Sequence, residues 1–297
     1  MYRYSQKSAF TLIEVAIAIV VVALAYVGFQ TSKKLISQSE SLVALNQADN
    51  NWEGASENSE EVEEEVEHIL PITSGLVLWL DASDTDTITI GATFTWADKS
   101  SAGNDVTQTS SSRFPVTNVA TINGRNVLDF DGEDDFLIRS GTIIARNNGN
   151  FTKFMVLQKD DAHWAALFCQ CSSAGDTNHY SASPTTTAFF NDEWRPGGGG
   201  GTGGAALTNG ESYIATFARQ NWSGRIYQNG SLVSTGATES YSGSSSLNSY
   251  IAVRINGSTQ RDFFDGKIAE LVFYSRLLSD EERQQVESYL NAKWNVY

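Results

Sequence analysis

The pattern of hydrophobic and polar positions divides the chain into two regions of different character. Residues 10–29 form an almost uninterrupted apolar run, FTLIEVAIAIVVVALAYVGF, in which Glu14 is the one charged residue. From about residue 74 onward, short apolar or alternating runs are separated by Ser, Thr, Asn, Asp and Gly. The first region predicts a long helix, and the second predicts an all-β domain with many turns.

The apolar run is long enough to cross a membrane, because a helix of this length spans about 30 Å. Arg3 and Lys7 precede it and predict a cytoplasmic N-terminus. A cleaved secretory signal would need a small-residue cut site after the run, which QTSKKLISQSE lacks. A simple anchor stays open as an alternative, but it leaves Glu14 unexplained, since an unpaired carboxylate in lipid is costly.

The helix is predicted to continue beyond the membrane as an amphipathic segment, because apolar residues recur at helical spacing up to Leu45. We therefore expect one helix over residues 10–52. Residues 53–73 then form an acidic linker, with eight Glu and no Lys or Arg between residues 53 and 67. Such a tract favours a solvated tether.

The segment Ala9-Phe10-Thr11-Leu12-Ile13-Glu14 resembles the cleavage and methylation motif of type IV pilins and pseudopilins. The resemblance implies that residues 1–9 are a leader, cut between Ala9 and Phe10 by a prepilin peptidase that then methylates the Phe10 amine. It also implies that Glu14 pairs with the Phe10 amine of a neighbouring subunit. The precursor would reside in the inner membrane and the mature chain in an extracellular pilus. Ala9 departs from the Gly that usually precedes the cut.

The second region predicts a β-sandwich or jelly roll followed by a short helix. Turn signals such as Asp131-Gly132, Asn229-Gly230 and Asn256-Gly257 punctuate the strand-length runs. Near the end, residues 279–282 form a capping-box pattern, and one apolar face follows it. The predicted strand runs are LVLWLDAS, NVLDFDG, FTKFMVLQ, AALFCQ, SYIATFA, GRIYQNG, SYIAVRI and GKIAELVFYSR.

Residues 74–297 resemble the concanavalin A-like lectin/glucanase superfamily in its laminin-G-like form. The segments that carry the resemblance are GLVLWLDA at 75–82, WADKS at 96–100, VLDFDGEDD at 127–135, RIYQNG at 225–230, FDGKIAEL at 264–271 and LSDEER at 278–283. The implied fold class is a long pilin-type helix followed by a concanavalin A-like sandwich with a short C-terminal helix. This superfamily includes lectins, adhesins, enzymes and spacers, so the fold alone names no ligand.

Catalysis is not expected. Glucanases on this fold need two glutamates on one strand with an Asp between them, and residues 74–297 contain no such arrangement. The three His residues lack metal-ligand spacing, and the glycine run 197–201 lacks the Lys of a phosphate loop.

Calcium is the cofactor that the laminin-G resemblance makes worth testing, because Ca²⁺ prefers hard oxygen ligands. One candidate group is Asp131, Asp134 and Asp135, and another is Asp81 and Asp84 with Asp86 nearby. The competing explanation for both groups is turn formation and solubility.

Aromatic residues give a weaker indication of sugar binding. Trp194 and Trp222, together with Trp164, could stack on a pyranose ring, but burial in the core explains them equally. The two cysteines, Cys169 and Cys171, favour a local bridge in an exported protein, although a straight strand would hold their Cα atoms too far apart.

The formal net charge of −15 argues against nucleic acid as a partner. The leading hypothesis is a pilin-like structural subunit that polymerises through its helix and displays the sandwich outside. A minor pilin adhesin that binds surface glycans, a type II secretion pseudopilin and a membrane-anchored glycan hydrolase are the alternatives.

Overall fold

A computed structural model describes residues 69–144, 150–161, 163, 165–171, 177–183, 189–194, 207–221, 223–237, 247–256 and 259–297. The chain divides into two compact units, Met1–Glu65 and Val66–Tyr297. The predicted leader, the predicted filament helix and most of the acidic linker lie outside the described residues. Among the residues that are described, no helix is long and apolar enough to cross a membrane.

The described part of the second unit consists of strands and one closing helix. The strands of its first half are β1 (Leu76–Asp81), β2 (Ile88–Ile90), β3 (Phe94–Trp96), β4 (Val106–Gln108), β5 (Thr121–Ile122), β6 (Arg125–Asn126), β7 (Leu128–Asp131), β8 (Leu137–Arg139), β9 (Phe151–Lys159) and β10 (Ala165–Cys171). The later elements are β11 (Thr177–Ser183), β12 (Phe189–Trp194), β13 (Ser212–Gln220), β14 (Ser223–Gln228), β15 (Ser231–Ala237), β16 (Asn248–Ile251), β17 (Arg254–Asn256), β18 (Thr259–Arg261), β19 (Asp265–Tyr274) and α1 (Asp280–Trp294).

Two large antiparallel sheets form the body of the domain, and β5-β6 and β17-β18 form two small two-stranded sheets. The first has the order β1-β19-β9-β13-β14-β15, with β7 also paired to β19. The second has the order β12-β11-β10-β16-β8-β4-β3-β2. The first strand therefore lies beside the last, so that the two ends of the domain's sequence meet in one ladder.

The main core lies between the sheets and is built from the inward faces of both. Trp96, Phe168 and Phe273 are among its fully buried members. The central strands β9 and β10 are buried along nearly their whole length, which explains why their sequences are apolar runs rather than alternating ones.

Helix α1 covers the outer face of the first sheet and gives that sheet a second apolar layer. Val286, Leu290 and Trp294 of the helix are fully buried there. The helix begins with the predicted capping box, in which Ser279 accepts from the Glu282 amide and Glu282 accepts from the Ser279 amide. The capping-box prediction is therefore confirmed.

The chain enters the domain before β1. Leu70 is buried and Ile72 is partly buried in the same layer as α1, and the Tyr274 hydroxyl donates to the Ile72 carbonyl over 2.8 Å. These two residues, which the prediction placed in the linker, thus pack with the sandwich.

The expectation of a β-sandwich with a short closing helix is confirmed for the described residues. Cys169 and Cys171 are bonded to each other with Cα atoms 5.6 Å apart. Both side chains are buried beside Phe136, Val253 and Ile255 on the outer side of the second sheet. The local bridge is thus part of a third apolar cluster.

Candidate functional site

The acidic turn, defined here as residues 131–135, connects β7 to the segment before β8. Its first residue, Asp131, ends β7 and lies opposite Asp265 of β19. Gly132 has a φ of +73°, and a Cβ at this position would lie 2.7 Å from the Asp265 Cβ. Glycine is therefore required for the turn to approach β19 so closely.

Hydrogen bonds within the acidic turn hold its shape. Oδ1 of Asp131 accepts from the amides of Glu133, Asp134 and Asp135 at 2.9, 3.2 and 3.4 Å. Oδ2 of Asp135 accepts from the Asp131 amide at 3.3 Å. The competing explanation, turn formation, thus applies to Asp131. Its hydrogen bonds hold the turn, and the turn fixes the positions of the other carboxylates.

The three candidate carboxylates of the acidic turn come together. Asp131, Asp134 and Asp135 each offer an oxygen, and these oxygens lie within 4.8 Å of one another. Oxygens that share one Ca²⁺ at about 2.3–2.6 Å can be separated by up to about 5 Å, so the donor set fits a hard cation. Asp134 is 3.6 Å from the Arg113 guanidinium, and Asp135 is 5% exposed.

Negative charge is poorly compensated around the acidic turn. Burial, and then the charge of Asp131, raises the pKa of Asp135 to about 7. Burial and the neighbouring Asp161 and Asp160 likewise raise the pKa of Asp265. Carboxyl groups that resist ionisation together would be relieved by a bound cation.

The second predicted calcium group is arranged differently, because lysines already lie among its carboxylates. Oδ2 of Asp81 is 2.7 Å from Nζ of Lys293 and 3.2 Å from Nζ of Lys99. Asp84 is 2.7 Å from the same Lys99. Throughout the described residues, the acidic turn is the one group of three or more His, Cys, Asp or Glu that could share a metal ion. Asp81, Asp84 and Asp86 are not brought together in that way.

Glu270 of β19 completes a buried polar network that the sequence analysis did not identify. It is fully buried and lies directly opposite Asp81 in the ladder of β1 and β19. Oε1 accepts from Trp79 Nε1 at 2.7 Å and from the Tyr289 hydroxyl at 2.8 Å. Oε2 accepts from Lys293 Nζ at 2.9 Å and from Trp294 Nε1 at 2.7 Å. Four donors satisfy a carboxylate that has no access to water.

The two carboxyl groups of this network differ in their proton affinity. Burial would raise the pKa of Asp81, but Lys293, Ser83 and Lys99 outweigh it and hold that pKa below the usual value. Burial and the charge of Asp81 raise the pKa of Glu270, although Lys293 and Trp294 oppose the rise. Of the pair, Glu270 is therefore the stronger proton acceptor.

The predicted sugar-stacking residues cannot be placed at a site. Trp194 ends β12 opposite Asn178 of β11, but its side chain lies outside the described residues. Trp164 and Trp222 also lie outside them, as do Ala9, Phe10 and Glu14. The predictions for these residues stay predictions.

Comparisons with known proteins support the fold. The family model Laminin_G_3, of the concanavalin A-like lectin/glucanases superfamily, matches residues 142–282. A search of curated protein sequences found no significant match. Among solved structures, a Trypanosoma rangeli sialidase in complex with sialic acid aligns with a TM-score of 0.51 and 16% identity. That alignment covers 75% of this chain and 34% of the sialidase.

A second similar structure is the binding domain of Botulinum neurotoxin DC in complex with rat synaptotagmin II. It aligns with a TM-score of 0.53 and 12% identity, over 73% of this chain and 52% of the toxin domain. The chain thus spans about a third of the sialidase and about half of the toxin domain. At these identities the likeness shows the fold alone, and the presence of a sialidase does not decide whether this domain is catalytic.

Proposed function

Taking a concanavalin A-like lectin/glucanase domain as the premise, we propose that the chain is a type IV pilin-like subunit of a bacterial surface filament. In this proposal the N-terminal helix forms the filament core and the sandwich is displayed outside. The supporting observation is the segment Ala9–Glu14, in which a cleavage motif follows the basic residues Arg3 and Lys7 and places a carboxylate at the start of an apolar run. Glycan hydrolysis is not part of the proposed function.

Glu14 has a specific role in this proposal. A carboxylate within an apolar bundle is tolerated when it meets a positive partner. Cleavage after Ala9 would create such a partner, the methylated amine of Phe10 on the neighbouring subunit. The same contact would set the axial register of the helices.

The test is mass spectrometry of sheared surface filaments. The proposal expects a chain that begins at methylated Phe10. Replacing Glu14 by Ala should abolish filaments or misregister them, whereas Glu40→Ala, a matched change in the polar part of the predicted helix, should leave them intact. Filaments of normal appearance from Glu14→Ala, or surface chains that all begin at Met1, would refute it.

Ca²⁺-dependent glycan binding by a minor pilin is the second candidate, and the acidic turn favours it. Its three carboxylates can share one cation at the rim of a lectin-type fold. A glycan array probed with the purified chain, with and without a chelator, tests it. Binding lost both on chelation and in Asp135→Asn supports an adhesin, while calcium-independent binding or none refutes it.

A type II secretion pseudopilin is distinguished from both by location. Such a subunit would be processed at the same bond but would stay in the cell envelope. Absence of the processed chain from sheared filaments, together with its presence in envelope fractions, would therefore replace the pilus assignment with this one.

A further inference from the structure

The buried network at the junction of β1, β19 and α1 holds an amine against two carboxyl groups. Nζ of Lys293 lies 2.7 Å from Oδ2 of Asp81 and 2.9 Å from Oε2 of Glu270. The three side chains are 4%, 5% and 0% exposed, respectively. A nucleophile thus contacts both an electrophile and a proton acceptor, and all three are shielded from solvent.

We propose that Lys293 and Asp81 condense to form an intramolecular isopeptide bond, with Glu270 as the catalytic proton acceptor. A bond forms between Nζ of Lys293 and Cγ of Asp81, and the bond from Cγ to Oδ2 breaks. Nζ gives up two protons and Oδ2 takes up two, so one water molecule leaves. Nothing is oxidised or reduced, and no co-reactant is needed.

Proximity lowers the activation barrier of this condensation. Groups held in reactive contact behave as if present at effective concentrations of up to about 10⁵–10⁸ M. Burial also excludes the bulk water that would hydrolyse the product. A more exposed pair, such as Lys99 with Asp84, has less protection from bulk water.

Oδ1 of Asp81 lies where a tetrahedral intermediate would develop negative charge, and it already has donors. The amide and the hydroxyl of Ser83 donate to it at 3.1 and 2.7 Å. Preorganised donors of this kind stabilise an oxyanion. The departing oxygen, Oδ2, lies 2.7 Å from Nζ of Lys293, which is the source of both protons that this oxygen takes up.

Glu270 is held for its role by three neutral donors, Trp79, Tyr289 and Trp294. Its carboxylate can take a proton from Nζ and pass it on toward the departing water. In the product, the new amide N–H replaces the ammonium as the fourth donor. The reaction therefore removes a buried ion pair without leaving Glu270 unsatisfied.

Lys99 is the competing amine, since it also contacts Asp81. Its side chain is 24% exposed, and it pairs with Asp84 as well. Asp84 and Asp81 outweigh the effect of burial and raise the pKa of Lys99, which keeps it protonated. Asp84 beside Lys99 is 35% exposed, whereas Glu270 beside Lys293 is fully buried, so Lys293 is the amine with a buried proton acceptor.

The cross-link would join β1 to α1, which are the first and last elements of the domain. It would fix both ends of the fold covalently, so that tension applied at the domain's start could not peel β1 from β19. This inference does not depend on the pilin proposal, because the network lies wholly within the sandwich.

Peptide mapping of the purified full chain tests the proposal. Trypsin should fail to cut after Lys293, and one branched peptide should join residues 35–99 to residues 284–297. Its mass should be one water below the sum of the two parts, and fragmentation should place the link at Asp81 and Lys293. Separate, unlinked peptides from folded wild-type protein would overturn the proposal, as would a link at Lys99.

Variants assign the roles. Lys293→Arg keeps a positive charge but removes the nucleophile, so the branched peptide should vanish. Lys99→Arg is the matched control and should leave the link intact. Glu270→Gln should slow its formation about a hundredfold or more, with folding checked by circular dichroism. Normal linking in Glu270→Gln would exclude the role of Glu270, and loss in Lys99→Arg would exclude Lys293 as the amine.

Discussion

The acidic turn and the buried network are two groups of carboxylates on one domain, and they balance their charge in opposite ways. In the network, Lys293 lies between Asp81 and Glu270, and three neutral donors complete the shell of Glu270. In the acidic turn, Arg113 lies 3.6 Å from Asp134, and burial together with the charge of Asp131 raises the pKa of Asp135 to about 7. Carboxylates are therefore part of the buried structure in the network, whereas in the acidic turn they are available to bind a cation.

The difference shows that carboxylate spacing along the chain does not distinguish a cation site from an ion-pair site. Asp131 and Asp134 are three positions apart, and so are Asp81 and Asp84. What separates them is a lysine on a distant element, which reaches one group and not the other.

Removing Lys293 should have the largest effect. Lys293→Met leaves Asp81 and Glu270 buried with one cation fewer, and such a loss lowers the free energy of unfolding by about 3–5 kcal/mol. Urea unfolding followed by tryptophan fluorescence measures it. Lys99→Met serves as the control and should lose less, because Lys99 is partly exposed. Equal losses in the two variants would show that the network does not depend on its buried lysine.

Calcium should stabilise the domain through the acidic turn. At a free concentration about a hundredfold above its Kd, a ligand of the folded state adds about 2.7 kcal/mol. Differential scanning calorimetry with calcium and with chelator should show this as a higher Tm. Asp131→Asn should abolish the shift, and Asp84→Asn should retain it. If Asp84→Asn abolished the shift and Asp131→Asn retained it, the cation site would lie at the Asp81 group. The contrast between the two groups would then be wrong.

Stability without calcium should fall as the pH rises through neutrality. The pKa of Asp135 is raised from 3.8 to about 7, so the folded state holds a proton that the unfolded state releases. Its contribution is complete below pH 3.8 and is lost as the pH rises through about 7. Urea midpoints in chelator across this range measure the effect. Asp135→Asn should reduce the fall of the urea midpoint with pH. An unchanged dependence of the midpoint on pH would exclude Asp135 as its source.

Asp84→Asn should have the smallest effect. Its carboxylate is 35% exposed and pairs with Lys99 at the surface. Exposed pairs contribute about 0.2–1 kcal/mol to stability. Equilibrium unfolding should therefore place this variant close to wild type. A loss as large as that of Lys293→Met would mean that the pair is part of the buried network.

Much of the sandwich could be predicted because its central strands carry their own pattern. The runs that became β1, β9 and β19 are apolar in sequence, since they are covered on both faces. Ser279 and Glu282 predict the start of α1, because the capping box depends on local hydrogen bonds alone. Neither signal depends on distant residues.

The polar strands could not be predicted by the same means. The sequence of β11, TNHYSAS, has no apolar periodicity and resembles a loop. Its place in the second sheet comes from pairing with β10 and β12, which is a tertiary effect.

The candidate site was predictable only in part. Asp131, Asp134 and Asp135 are close in sequence, so a turn suffices to gather them. The partner of Asp81 is on the last helix, and Glu270 lies within an apolar run, where a single acid carries no pattern. A buried Glu in a strand between apolar residues was the one available signal, and it indicates a required partner without naming it.

The pairing of β1 with β19 has a consequence for how the domain reaches its folded state. The first strand has no ladder partner until β19 is available, and this long sequence separation makes the topology one of high contact order. During synthesis or export, β1 therefore cannot form this ladder until the intervening strands have emerged. The ladder of the first sheet is therefore completed late, once β19 has emerged.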